Sequence, residues 1–465
     1  MCGQFIREGG EKLKAMLPEV IALHRIGSLV RIPPDQDVPL TDRVRRVLDT
    51  APLRRLASIS QLGMVRLIYP GATHTRLEHT LGVYHNALRL LARFSVEDEF
   101  NSRIHPEMAD AFVLAALLHD IGHWPFCHPI EDMQLGEVGE HETQIAEIIA
   151  SSELQDCIDR DWSCDSKQVI DLLDPGAVVD HESTFGQKFL ASCLSGPIDI
   201  DKLDYLQRDS LHAGVPYGSQ FDVGRLISSM RVNPHSARLA VDEKGRTAAE
   251  LMVFARYIMF SEVYWHHAVR SATAMLQRAV FLLQNRFDLV SSLRMTDPQW
   301  IAMLRRSAEG SVAEPLVEGL FGPTRRLYKR AAEFSVIDGG LVHFRLARKP
   351  YWWLVACSER LAQNLSQVTG LAVHAADILI DAPPVKLEVD INVDVIGNDG
   401  SVRALGDVSA VASALAERQF DDQVKRVRVF VRPDLYQDLR ATMEGPKQWN
   451  EQLLAVSESL EQELV

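Results

Sequence analysis

No two of the six cysteines (Cys2, Cys127, Cys157, Cys164, Cys193, Cys357) stand at C-x-x-C spacing, and they do not cluster. That argues against a zinc ribbon or a disulfide framework and for reduced thiols, as in the cytosol. No apolar run approaches the ~18–20 residues that would span a bilayer. The N-terminus, Met1-Cys-Gly-Gln-Phe-Ile-Arg-Glu, lacks the apolar core of a signal peptide. Internal repeats, heptad runs and low-complexity linkers are missing too. So is any excess of positive charge: 49 Lys and Arg stand against 63 Asp and Glu, a net charge of −14. Such a molecule repels nucleic acid and anionic membranes, and accepts a polyanion only where cations gather locally. The expectation is a cytoplasmic protein without membrane or nucleic-acid partners.

What is present is the composition of an ordinary globular chain, 46% hydrophobic and 24% charged. Three regions are expected. Residues 1–40 form an N-terminal extension with a short helix around 11–23 and a proline-rich extended stretch. Residues 41–285 read as helical, and residues 286–465 as a smaller α+β lobe. Thr41-Asp42 caps the first core helix, and Thr75-Arg-Leu-Glu78 has the capping-box pattern of the next. Ala111–Leu118 is apolar on nearly all sides, so it belongs in the core. Further helices are expected near 140–152, 166–173 and 181–193. Met230–Val232 and Arg238–Val241 read as a hairpin, followed by one long helix from Ala248 to Gln284. In the last region Val342–Leu346, Leu387–Ile396 and Val427–Arg432 read as strands, with helices at 354–366 and 407–419. The fold class is mainly α, a helical core with a smaller C-terminal α+β lobe.

Eight of the sixteen histidines fall within residues 74–141, where an even spread would put about two. His119-Asp120 ends the all-apolar helix, where an unpaired carboxylate would be costly unless a cation meets it. With His79 on the preceding helix and Asp201 starting a later one, the set is two imidazoles and two carboxylates. That mixture suits a catalytic divalent ion such as Mn, Fe, Mg or Zn rather than a thiolate-rich structural zinc site. His123, His128 and His141, with Glu131 nearby, are candidates for proton transfer at neutral pH. On a helix, Asp201, Lys202, Tyr205 and Asp209 fall at roughly 0, 100, 40 and 80° and share one face. There Lys202 can neutralise phosphate while Tyr205 and Asp209 bond a sugar hydroxyl. Arg76 and Arg256 are further phosphate candidates.

The order His79, His119-Asp120, Asp201 resembles the HD-domain metal-dependent phosphohydrolase superfamily. The fuller pattern resembles its deoxynucleoside triphosphate triphosphohydrolase branch, which includes the animal SAM-and-HD-domain dNTPase. It is carried by Ser60-Gln-Leu-Gly63, Pro70–Gly82, Leu118–His128, Gly139-Glu-His-Glu142, Ile198–Asp209 and Phe254-Ala-Arg-Tyr … Val263-Tyr-Trp-His266. The resemblance implies an HD-domain core in which His79, His119, Asp120 and Asp201 hold the metal. It implies that His123, His128 and His141 line the phosphates and move protons, supported by Glu131. Arg76, Lys202 and Arg256 would bind the triphosphate, and Tyr205 and Asp209 the 3′-hydroxyl beside Gln61. Leu62 and Tyr264 would crowd the 2′ position and favour deoxyribose. The implied reaction cleaves a dNTP to deoxynucleoside and inorganic triphosphate, in a homo-oligomer (dimer or tetramer). A nucleotide activator is left open: Asp49 fits the family's regulatory segment, whereas Arg54 and Ala57 do not supply its Gln and Arg. Ile32-Pro-Pro-Asp-Gln36 likewise departs from the family's entry motif, and no SAM domain precedes the core. Two other readings compete: an HD phosphohydrolase acting on a nucleoside monophosphate or an alarmone, and a non-catalytic nucleotide sensor.

Overall fold

The computed structural model describes residues 17–23, 27–136, 138–174, 184–337, 340–384, 392–417, 424–443 and 445–463. The expected helix at 11–23 is described only from residue 17, as Pro18–Ala22. The strand expected at 387–396 is described only from 392, and the helix expected at 407–419 only to 417. Among the described residues, no helix is long and apolar enough to cross a membrane.

The chain is mainly helical, with small sheets contributed largely by its C-terminal part. Strands β1 (Leu29–Ile32) and β2 (Gln36–Pro39) form the first hairpin, where an extended stretch is expected. Two short helices, Asp42–Leu48 and Ala51–Leu56, then lead to α1 (Arg76–Phe94). The Thr41 hydroxyl caps the first by accepting from the Val44 N–H. The capping box at Thr75 does not form: Thr75 makes no side-chain cap bond, and Glu78 instead accepts from Arg208 and contacts His212. Helix α2 (Pro106–Leu118) packs against α1 with every residue from Ala109 to Leu118 buried. Each such leucine contributes about 1.5–3 kcal/mol by leaving water, which fixes the end of α2 in space. Helix α3 (Cys127–Glu131) follows, then Ser166–Leu173 and Phe185–Leu194 near their expected positions. The segment expected as one helix at 140–152 is a 3₁₀ turn at His141–Gln144 continued by Ile145–Ala150. Helix α4 (Ile200–Ala213) lies across α1, with Gly214 closing it in the left-handed region at φ +70°.

The single helix expected from Ala248 to Gln284 is two. Helix α5 (Arg246–Met259) runs into a π turn at Phe260–Tyr264, and α6 (His267–Leu283) starts anew from a His266 cap. Helical periodicity continues through the break, so the pattern did not show it; the break turns Tyr264 toward Asp209. A second correction concerns Val342–Leu346, expected as a strand but forming helix α7 (Leu341–Leu346). Val342 and Leu346, four residues apart, are both buried, while Phe344 between them is 82% exposed. That is a helical face, not an alternating one.

The expected hairpin is β3 (Met230–Val232) with β4 (Leu239–Asp242). Three antiparallel strands, β5 (Lys329–Phe334), β9 (Val427–Val431) and β6 (Ile378–Asp381), make the C-terminal sheet in the order β5-β9-β6. Between them in sequence, β7 (Asp394–Ile396) and β8 (Val402–Ala404) leave that lobe, and β7 pairs in parallel with β4. The expected boundary at 285 is thus crossed by a sheet. It is also crossed by the core, where Val393, Val395, Leu405 and Ala412 join the apolar cluster of the helical part.

Candidate metal centre and its histidine cluster

Three elements converge on one point. His79 comes from the first turn of α1, His119 from the end of α2 and Asp201 from the first turn of α4. One ligand atom of each lies within 4.8 Å of the others. His79 Nε2 is 2.9 Å from Asp201 Oδ1 and 3.3 Å from His119 Nε2. The far side of each ring is already engaged. His79 Nδ1 faces Asp204 Oδ2 at 2.8 Å, and His119 Nδ1 faces the Ala116 carbonyl at 2.9 Å. Both partners are acceptors, so both Nδ1 atoms carry hydrogen and, in neutral rings, both Nε2 atoms present lone pairs. With both rings neutral, two lone pairs and a carboxylate oxygen point at one another, and either a metal cation among them or a proton on His79 Nε2 relieves the repulsion. This donor set fits a divalent metal, with Asp204 acting as the carboxylate that orients a liganding histidine. The same carboxylates act on a proton: burial alone would lower the His79 pKa, but bonding to Asp201 and Asp204 outweighs it and raises it to about 10.

Asp120, the fourth expected ligand, stands at the edge of this set. Its Oδ1 is 3.5 Å from His119 Nε2 and 3.0 Å from His123 Nδ1, while Oδ2 accepts from Arg76 Nη1 at 2.7 Å. Burial would raise this carboxyl, yet His123 and Arg76 hold it well below the usual carboxylate range. Arg76 is accordingly engaged with Asp120, and Lys202 Nζ with the helix-capping Asp199 at 2.5 Å.

A second group adjoins the first. Gly122 lets the chain return on itself, since a Cβ there would lie 2.1 Å from the His141 carbonyl oxygen. Phe126, at φ +55°, then reverses direction into α3 and seats its ring against Trp300 and Phe321. Arg55 Nη2 pins the turn by donating to the carbonyls of Ile121 (2.9 Å) and His123 (2.7 Å), and its burial lowers its pKa to about 10. The His123 and His141 rings are thereby 3.7 Å apart between centroids, and His128 is 5.2 Å from His123. Glu131 ties the group together: Oε1 meets His141 Nδ1 at 2.8 Å and Oε2 meets His128 Nδ1 at 3.1 Å. Burial opposes ionisation of Glu131, but the two imidazoles hold it far below the ordinary range.

Farther along α4, Asp209 accepts from the Tyr264 hydroxyl at 2.6 Å and meets His74 Nε2 at 2.9 Å. Burial raises the pKa values of both Tyr205 and Tyr264, opposed in each by nearby Arg256, so both phenols stay protonated. Gln61 donates its backbone N–H to His74, and its side-chain Oε1 is buried without a hydrogen-bond partner among the described residues. Leu62 packs at the margin of the same core.

Several residues that hold this site went unread in the sequence. Asp204 orients His79; Arg208 bonds both oxygens of Asp204 and reaches Glu78; Glu78 meets His212, which stacks on His74 at 4.3 Å. The signal for Asp204 and Arg208 was their spacing after Asp201, three and seven residues on, which keeps them near one face of α4. Gly82 belongs to this brace, because a Cβ there would sit 1.9 Å from Asp204 Oδ1.

Residues 76–162 match the HD domain, and residues 221–445 match an HD-associated region. An uncharacterised protein of Methanocaldococcus jannaschii is 28% identical over 385 residues, 82% of this chain and 74% of that protein. An uncharacterised protein of Bacillus subtilis is 34% identical over 250 residues, and the match spans 52% of each chain. The deoxynucleoside triphosphate triphosphohydrolase SAMHD1 of Gallus gallus is 32% identical over 211 residues, 40% of this chain and only 34% of that protein. A hypothetical protein from Aquifex aeolicus, solved by crystallography, has a TM-score of 0.67 at 26% identity and covers 90% of this chain and 100% of its own.

Proposed function

We propose that this HD-domain phosphohydrolase hydrolyses deoxynucleoside triphosphates to deoxynucleoside and inorganic triphosphate. The observation that carries the hydrolase part is the facing pair of His79 and His119 Nε2 atoms beside Asp201, which calls for a divalent cation. When bound, such a cation supplies Lewis-acid polarisation of a phosphoryl oxygen. The protein's own part follows from its tautomers. Glu131 keeps hydrogen on Nδ1 of His128 and His141, so each ring exchanges a proton through Nε2. Water attacks the α-phosphorus, the bond to the 5′-oxygen breaks, and a histidine of this group protonates that oxygen as it leaves.

The deoxynucleoside part is supported by the second half of α4. Asp209, held by His74 and Tyr264, is an acceptor placed for a sugar hydroxyl, with Tyr205 on the same face and the Gln61 carbonyl oxygen in reserve. Tyr264 and Leu62 are bulky neighbours for a 2′ position. Arg76, Lys202 and Arg256 remain the cations for the triphosphate, the first two exchanging Asp120 and Asp199 for phosphate oxygens on binding. The partial SAMHD1 likeness points the same way.

The test is to incubate the metal-loaded chain with each dNTP and NTP, separately and in mixtures that would reveal an activator, and to resolve the products by chromatography. Deoxynucleoside and triphosphate are expected from dNTPs. Release of a monophosphate, or no deoxynucleoside under any mixture, rejects the reading.

A further inference from the structure

We propose that Cys127, His123, His128 and His141 form a second metal site, separate from the His79–His119–Asp201 centre, that takes a soft divalent cation of the zinc class. One ligand atom of each of the four lies within 4.8 Å of the others. Tetrahedral zinc, with bonds of about 2.0–2.1 Å to nitrogen and about 2.3 Å to sulfur, needs its ligand atoms roughly 3.3–3.7 Å apart. Reaching those distances requires side-chain rotation, for which His128, whose side chain is 62% exposed, has room.

Three further features mark the cluster as a site. His123 is 3% exposed, and both its ring nitrogens are buried with no well-aligned hydrogen-bond partner among the described residues, a condition native interiors avoid. With Nδ1 against Asp120, Nε2 is the nitrogen left for a ligand bond. Glu131 holds Nδ1 of both His128 and His141, which sets each Nε2 as the donor, as a carboxylate behind a metal-binding histidine does. Cys127 is buried, in no disulfide and in contact with Glu131, at the first residue of α3. It provides the sulfur that the first centre lacks, so the two sites differ in kind: N and O ligands for a harder ion, three N and one S for zinc. Binding exchanges one proton, the Cys127 Sγ–H giving Sγ–metal and releasing H⁺ to solvent. One thiolate and three neutral imidazoles leave the bound ion with a single positive charge beside the Glu131 carboxylate.

The consequence rests on the hydrolase reading: a cation on His128 and His141 occupies the nitrogens that exchange protons, so zinc at this site inhibits. The experiment strips the full-length chain of metal, restores one equivalent of Mn²⁺, and titrates with Co²⁺ and, separately, Zn²⁺. The expected result is a near-ultraviolet thiolate-to-cobalt charge-transfer absorption that saturates at one equivalent per chain and is lost in Cys127→Ser. Cys127→Ala repeats the measurement should the serine variant fold poorly. No such absorption, or one that persists undiminished in both variants, overturns the site. Zinc should inhibit turnover at least about tenfold more weakly in Cys127→Ser than in the unaltered chain, the scale on which perturbing a metal site's shell lowers affinity; equal inhibition overturns the regulatory consequence. A chain inert toward every dNTP overturns the hydrolase reading instead, and the cobalt absorption then decides the site alone.

Discussion

The two histidine groups sit side by side but are braced in opposite ways. In the metal centre each donor has its own support: Asp204 behind His79, the Ala116 carbonyl behind His119, and the start of α4 beneath Asp201. In the adjoining cluster one carboxylate, Glu131, is shared by His128 and His141, with Glu142 also 3.3 Å from His141 Nδ1. The first arrangement spreads rigidity over three long helices, as a fixed coordination geometry requires. The second rests on shorter elements, the five-residue α3 and a 3₁₀ turn, with only His128 largely exposed.

The largest effect should come from the first group. Asp201→Ala removes the only carboxylate in the convergent trio, and metal content and turnover are both expected to vanish. Elemental analysis and product chromatography check this; activity retained would take Asp201 out of the site. Glu131→Gln breaks the comparison from the other side. An amide carbonyl can serve one imidazole, but not both, so proton transfer suffers while the metal centre is untouched. Turnover should fall about 10²–10⁴-fold, the usual worth of a positioned acid or base, with metal content unchanged. Loss of metal in Glu131→Gln would mean that the two groups are one.

The difference in bracing also explains what the sequence disclosed. The convergence of His79, His119 and Asp201 could be anticipated because these residues carry their chemistry in their types and lie at helix ends that composition marks, whereas Asp120, expected with them, stands aside against Arg76 and His123. Asp204, Arg208 and Glu78 were not legible, since an acidic or basic residue on a helix gives no sign of which partner across the core it meets. Glu78 even suggested a local capping box, which lost to Arg208 and His212. The π turn at Phe260–Tyr264 was hidden for a similar reason: its driving contacts, including Tyr264 with Asp209, are tertiary. The mainly helical class followed from periodicity and its HD character from the resemblance of the histidine and aspartate pattern, while Val342–Leu346 shows periodicity failing over a five-residue window, where both patterns fit.

A third histidine sharpens the point that environment, not residue type, assigns these roles. His85 lies on α1 less than two turns beyond His79. Burial, with the charge of Arg89, lowers its pKa to about 4, and the charge of Asp204 only partly opposes this. Where two carboxylates favour the protonated ring of His79, burial keeps His85 neutral. Its folded pKa is below the unfolded value of 6.5, so between about pH 6.5 and 4 the unfolded chain binds more protons than the folded one. The contribution of a neutral His85 to stability is therefore full above pH 6.5 and lost progressively as pH falls toward 4. His85→Gln keeps a polar side chain of similar reach but cannot titrate. The fall in thermal midpoint from pH 7 to pH 5 should be smaller in this variant than in the unaltered chain, by a few degrees at most against the background of the carboxylates. An unchanged pH dependence would show that His85 is solvated in solution and that burial along α1 is less uniform than its packing against α2 and α4 suggests.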